Sequence, residues 1–489
     1  MSERHPTERR VPPVAIATAL AASLLAGCIN FAPTYQRPAA PVAATYPPET
    51  LPATPTGGVA AADIDWHQFY ADARLKRLIE VGLENNRDLR IAVLNIEQAR
   101  ALYQVRRADE LPTVGVGFTA QRAPAVNGKL VNTYAVGIAV SSYELDFFNR
   151  VRNLSEAALA QYLATAEARK TVHITLISSI AATYLAILAD DEQLRVTRQT
   201  LVTREDSLRL TKLKFDYGAT SELDFRQAES LLEGAKAALA LSLRQRSQDE
   251  NALVQLIGQP LPADLPPPLP LDSAQVTAEL PAGLPSELLE RRPDIRAAEQ
   301  GLIAANANIG AAKAAFFPHI SLTGTFGTAS TELSGLFQGG SWAFTGTAQA
   351  LQTIFDYGRN QANLDVAKVN RDIAVAQYER AIQAAFREVA DALAGRATLG
   401  EQLRAQIAQA NAESIRFRLS DLRYRNGVAS YLELLDAQRA LFVAQLAVVQ
   451  VQAQQVQNLV QLYRTLGGGW IETADSASAS ASAPSARTP

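Results

Sequence analysis

The chain has 489 residues, a formal net charge of −3 and charged side chains at 19% of positions. Length alone suggests about three domains, and so balanced a charge excludes the basic field that nucleic-acid binding requires. A single cysteine excludes an intrachain disulfide or cysteine metal cluster, and the four histidines, His5, His67, His173 and His319, are scattered without a partner at ligand spacing, so no metal is expected.

In chain order, Arg9 and Arg10 precede an apolar stretch from Val14 to Leu25, which ends in Leu25-Ala26-Gly27-Cys28. A basic start and an apolar run this short mark residues 1–27 as a secretory signal peptide, not a membrane span. The ending resembles the lipobox of bacterial lipoproteins. That resemblance implies cleavage before Cys28 and lipidation of Cys28, with palmitate among its acyl chains. The other reading is an ordinary signal peptide that happens to hold a cysteine. Ile29 stands where lipoproteins kept in the inner membrane usually carry aspartate, so the resemblance implies the outer membrane. Acyl chains contribute about 0.8 kcal/mol per buried CH₂, so several together anchor firmly.

Residues 28–62 are rich in Pro, Ala and Thr and read as an extended tether. A first short helix is predicted from Trp66 to Asn86, and a longer one from about Asp88 to Glu110. Pro112 ends it, and alternation follows. Val114, Val116, Phe118 and Ala120 oppose Gly115, Gly117 and Thr119; after a polar loop, Tyr134, Val136, Ile138 and Val140 oppose Ala135, Gly137 and Ala139. This is a hairpin of two strands, each about as long as a membrane strand. A second hairpin follows Pro318, with Ile320, Leu322 and Phe326 on its first strand and Trp342 and Phe344 on its second. Four strands cannot close a membrane barrel, which needs about eight. Either several chains pool their strands or the hairpins form a small soluble sheet.

From Asn149 to Tyr217 there is neither Pro nor Gly, which predicts a helix of about 100 Å. Ser221 to Ile257 predicts a return arm of roughly 55 Å, and the helix before the first strand roughly 35 Å. The second half repeats this plan, with Arg359 to Asn426 as its long arm, Ser430 to Leu466 as its return, and Arg292 to Phe316 before its strands. Ile174 to Leu188 is nearly apolar but short for a bilayer, and reads as a buried helix. The last return arm carries a seven-residue repeat, Leu435, Phe442, Val449, Val456 and Tyr463, which favours a left-handed coiled coil. Its glutamines face either a lumen or bulk solvent. A proline-dense linker spans residues 258–285, and the Ala/Ser tail at 471–489 reads as disordered.

The two arms of each half join at a similar turn. Gly218, Ser221, Leu223 and Asp224 match Gly427, Ser430, Leu432 and Glu433 at an offset of about 209 residues, as Arg150 matches Arg359. Further upstream Asp88, Arg90 and Pro112 match Asp294, Arg296 and Pro318 at about 206. The chain is a tandem duplication, with repeats at 63–257 and 286–470. Each glycine suits the left-handed position that closes a helix, and each serine with its acidic partner reads as a capping box.

Trp66-His67-Gln68-Phe69-Tyr70, Asn85-Asn86-Arg87-Asp88-Leu89, Leu284-Pro285-Ser286-Glu287-Leu288-Leu289-Glu290-Arg291-Arg292-Pro293-Asp294-Ile295 and the two turns resemble the outer-membrane factor family, relatives of TolC. Within it the chain is similar to the lipoprotein branch serving resistance-nodulation-division efflux pumps. The resemblance implies a mainly α fold with a transmembrane β-barrel. Three chains would contribute four strands each to twelve, and the helices would form a periplasmic tunnel. It also implies a passive channel for multidrug resistance, with a periplasmic adaptor and an inner-membrane transporter as partners. Gly218, Ser221, Gly427 and Ser430 then match adaptor-contact tips. Asp436, Glu433, Asp224 and Tyr424 match the periplasmic aperture, where Glu433 and Asp224 read equally as helix caps. Gln227 stands opposite Asp436 in the first half, so an acidic ring would hold three strong charges. A duct for type I protein secretion, and a structural coiled-coil lipoprotein without a pore, remain the alternatives. An enzyme is not expected. No nucleophile–base pair, phosphate loop or cofactor motif stands out, and Gly-x-Gly at Gly115 sits inside a strand.

Overall fold

The computed structural model describes residues 30–46, 61–124, 126, 128–271, 276, 280 and 285–470. The predicted signal peptide, Cys28, the later part of the tether, most of the linker beyond Leu271 and the tail lie outside the described residues. The helices are α1 (Trp66–Phe69), α2 (Ala73–Asn85), α3 (Arg87–Ala108), α4 (Arg150–Asp216), α5 (Glu222–Ile257), α6 (Pro285–Arg291), α7 (Pro293–Ala314), α8 (Arg359–Arg425) and α9 (Tyr431–Thr465). The strands are β1 (Val114–Pro124), β2 (Leu130–Glu144), β3 (His319–Ser330) and β4 (Trp342–Leu351). They divide into two compact units.

The first unit holds residues 30–39, 96–165 and 298–378. Its sheet runs β1-β2-β3-β4, antiparallel throughout. Register aligns Val116, Ile138, Phe326 and Phe344 across one face, and Gly115, Ala139, Thr325 and Thr345 across the other. The alternation expected from sequence thus gives one apolar face and one of small neutral residues. Beside the sheet, Ala157 and Ala160 of α4 pack on Ala304 and Ala307 of α7. Helices from the two halves of the duplication are therefore interleaved. The start of the tether does more than extend. Phe31 stacks on Phe317 at 4.5 Å, Asn153 donates to Asn30 at 3.0 Å, and Tyr35 and Arg37 both bond Glu299.

The second unit holds the described parts of 40–95, 166–297 and 379–489. The single helix expected from Trp66 to Asn86 is broken into α1 and α2. Asp72, buried, leaves the helix to cap Arg74 N at 2.7 Å, and also accepts from Tyr184 Oη at 2.6 Å and Leu269 N at 3.3 Å. One carboxylate thereby pins α2, α4 and the linker, a stronger demand than helix continuity. The Arg-Arg-Pro-Asp motif forms a second knot. Arg292 bonds Asp294, Glu388 and the Thr465 carbonyl. Burial works against its charge, but Asp294 and Glu388 more than offset this and raise its pKa. Tyr463 stacks on Phe69 at 4.0 Å and donates to Ile64 O at 2.6 Å.

The long arms α4 and α8 each have 67 residues, so each runs about 100 Å as expected. Ile177, Ile180, Ala181 and Leu185 are buried, and 61% of the most apolar stretch of α4 lies inside the protein. The heptad of α9 faces inward at Leu435, Val449, Val456 and Tyr463, while Gln450 and Gln454 are exposed.

Candidate functional site: the helical hairpin tips

The tips are built first by backbone geometry. Gly218 has φ +69° and Gly427 has φ +72°, the left-handed region where a side chain is strained. Each glycine closes its long helix in the same way. Gly218 N and Ala219 N donate to Phe215 O and Lys214 O at 2.9 and 2.7 Å; Gly427 N and Val428 N donate to Tyr424 O and Arg423 O at 3.1 and 2.9 Å. These paired bonds satisfy carbonyls that a helix end would otherwise leave open. Ser221 and Ser430 then cap the return arms, accepting from Asp224 N at 3.2 Å and Glu433 N at 3.4 Å.

Only the serine half of each expected capping box forms. The Asp224 carboxylate accepts from Thr220 Oγ1 at 2.7 Å, and Glu433 accepts from Arg423 Nε at 3.1 Å. For Glu433 a guanidinium is a stronger donor than a neutral amide, so the arginine holds the carboxylate. Asp436, one turn further on, is held by Arg416 Nη2. Of the three acidic residues assigned to an aperture, Glu433 and Asp436 therefore carry an arginine of α8 as partner, and Asp224 does not. These arginines were not singled out from sequence. The signal was available, because residues on opposite sides of a hairpin turn face one another, and Arg423 and Glu433 flank Val428 symmetrically.

Tyr424 is buried, not lining a surface. It packs with Tyr431, Leu434, Leu435, Ala228 and Leu231, and its ring lies 5.6 Å from that of Tyr431. Burial raises the pKa of both phenols. Lys214 Nζ stands 3.8 Å from the Tyr424 ring centroid and bonds its carbonyl oxygen at 3.4 Å. This cation–π contact joins the end of α4 to the end of α8. Thus Gly218, Ser221 and Asp224 belong to one hairpin, Gly427, Ser430, Glu433 and Asp436 to the other, and Tyr424 and Lys214 bridge them. Arg204 was also missed. It is buried, donates to Leu231 O at 2.9 Å and lies over Phe442 at 5.1 Å, and burial lowers its pKa, with Arg439 adding to the effect.

A groove of about 780 Å³ runs beside these residues, rimmed by Asp206, Arg209, Lys212, Asp216, Asp421 and Arg425. Its mixed charge suits a protein surface of alternating sign. Among the described residues no three His, Cys, Asp or Glu side chains converge on a metal position.

The model of the outer membrane efflux protein family matches residues 78–259 and 284–468. The chain is 46% identical over 464 residues to the outer membrane protein OprJ of Pseudomonas aeruginosa, covering 93% of this chain and 96% of that protein. It is 45% identical over 476 residues to the probable efflux pump outer membrane protein TtgC of Pseudomonas putida, covering 96% and 98%. The crystal structure of the open state of the Neisseria gonorrhoeae MtrE outer membrane channel superposes with a TM-score of 0.81 at 42% identity, covering 90% of this chain and 98% of that one. The chain belongs to the outer membrane efflux protein family.

Proposed function

We propose that this chain is the outer-membrane exit duct of a tripartite efflux pump, conducting small toxic molecules passively from the periplasm to the exterior. One observation carries the reading. The four-stranded sheet has an apolar face, with Val116, Phe118, Phe326, Trp342 and Phe344 all exposed, and the outer edges of β1 and β4 have no ladder partner among the described residues. A bilayer tolerates no such edges. Three copies supply twelve strands and remove them, and the helices continue the lumen into the periplasm. An adaptor grips the tips at Gly218, Ser221, Gly427 and Ser430 and links the duct to an inner-membrane resistance-nodulation-division transporter. Asp436, Glu433 and Asp224 frame the aperture, with Tyr424 packed behind them. Cys28 carries the lipid anchor after removal of residues 1–27, the tether ends at residue 62, and the repeats at 63–257 and 286–470 flank the linker at 258–285. The duct performs no chemistry. Relatives named as antibiotic, toluene and solvent efflux pump proteins support small molecules over a secreted protein as cargo.

The test is reconstitution of the purified full-length chain into planar bilayers. Unitary current steps from a species with the mass of three chains are expected. A monomer without conductance would leave the coiled-coil lipoprotein reading in its place.

A further inference from the structure

The backbone of the sheet is not evenly curved. An added Cβ on Gly327 would lie 2.1 Å from Val136 O and 2.5 Å from the Gly137 Cα; one on Gly137 would lie 2.4 Å from Phe326 O and 2.7 Å from the Gly327 Cα. Gly137 and Gly327 are directly opposed in the β2–β3 ladder. In an ordinary pleat, opposed Cβ atoms stand off the sheet about 4.5–5.5 Å apart. Here each would point into the other strand, so the two backbones are turned toward one another on this face.

Gly117 occupies the same transverse row, paired with Gly137 across the β1–β2 ladder, and a Cβ there would meet nothing within 4 Å. On the β3–β4 ladder, a Cβ on Gly324 would make only an ordinary contact at 3.7 Å. A second feature falls on the same ladder as the close approach. The β2–β3 register shifts between Val140 and Tyr143, and Ser142 takes φ 53° within that shift. The β1–β2 and β3–β4 ladders run without any shift. Bulges and close-approach glycines are the devices by which a sheet turns a corner. A hollow of about 150 Å³ lies on the inside of the turn, lined by Gly117, Ala135, Gly137, Thr325 and Gly327 among others.

We propose that Gly137, Gly327 and the bulge at Ser142 form a built-in corner on the ladder joining the two repeats, which turns the small-residue face inward so that three sheets can close into one barrel. This rests on the shared-barrel reading above and adds what positions the strands for it. The hairpins within each repeat are left gently curved, so the bending is concentrated three times around the ring. A methyl group at either glycine opens the corner and moves the free edges of β1 and β4 off the angle at which neighbouring copies pair.

The test compares three variants of the full-length chain, refolded from denaturant into detergent: Gly137→Ala, Gly327→Ala and Gly117→Ala. Helix content is read by far-ultraviolet circular dichroism, closure by the trimer fraction on sizing with light scattering, and the channel by bilayer conductance. The expected result is at least a tenfold lower trimer yield for Gly137→Ala and Gly327→Ala, with helix content unchanged, and normal yield and conductance for Gly117→Ala. The corner is overturned if Gly327→Ala closes and conducts like the unaltered chain, or if Gly117→Ala is equally damaging. It is also overturned if Gly327→Ala loses its helix signal, since the glycine would then serve folding at large. An unaltered chain that neither trimerises nor conducts would overturn the duct reading and the corner with it.

Discussion

Replacing Arg292 by Met removes a buried charge while keeping most of the side chain's volume. Arg292 makes five hydrogen bonds: two to Asp294 at 3.0 and 2.6 Å, two to Glu388 at 3.0 Å each, and one to Thr465 O at 3.1 Å. Breaking a buried ion pair on one side costs roughly 3–5 kcal/mol. Two features moderate this. The Asp294 and Glu388 side chains are 34% and 28% exposed, so water recovers part of each carboxylate, and Arg464 already stands 4.0 Å from Glu388. The Thr465 carbonyl has no such relief, because its residue is only 1% exposed. We expect a loss of about 3 kcal/mol, the low end of the range. Urea unfolding of the full chain in detergent, followed by circular dichroism at fixed protein concentration, measures it. A loss below about 1 kcal/mol would place the knot with ordinary surface pairs and refute its role as the clasp between the α6–α7 junction and α8–α9.

Arg416→Gln releases the Asp436 carboxylate and should raise cation over anion permeability, while Asp436→Asn should lower it; reversal potentials that ignore both changes would remove Asp436 from the aperture. Gly427→Ala should cost about 1–2 kcal/mol from its left-handed backbone. Gly427→Pro also loses the bond from Gly427 N to Tyr424 O, so export should fail while trimers still reach the outer membrane; normal export by that variant contradicts the tip assignment. Asp190 is pushed up to about 7 by burial, by the hydrogen bond its protonated carboxyl donates to Asp249, and by the negative charge of Asp249. Its folded pKa exceeds the unfolded value, so its contribution to stability is complete below the usual carboxylate range and lost as pH rises through about 7. Unfolding midpoints should therefore fall from pH 5 to pH 8, and Asp190→Asn should flatten that slope; an unchanged slope refutes the assignment. Cys28→Ser should abolish metabolic labelling with palmitate, and persistent labelling would locate the anchor elsewhere.

Elements with strong periodicity were legible before the structure. The absence of Pro and Gly from Asn149 to Tyr217 is visible in the chain itself, and α4 follows it within a residue at each end. The strands were legible because their faces differ sharply, Val116 and Phe118 against Gly115 and Gly117. What stayed hidden depended on residues far apart in sequence. Asp72 breaks a helix because Tyr184 and the linker demand its carboxylate, and nothing local signals that. Glu433 leaves its capping box for Arg423 because a charged donor competes across the turn. The glycines of the strands looked alike in sequence, and only the close approach of the β2 and β3 backbones separates Gly137 and Gly327 from Gly117.

Whether this chain is an efflux duct is tested by the accumulation of dyes and antibiotics in cells lacking it, with and without its restoration. Accumulation should rise on deletion and return to its original level when the chain is restored. A restored chain carrying Gly427→Pro, present in the outer membrane as a trimer, should not bring the level down. Unchanged accumulation across a broad panel, in cells whose other exit ducts have been removed, would contradict the duct reading.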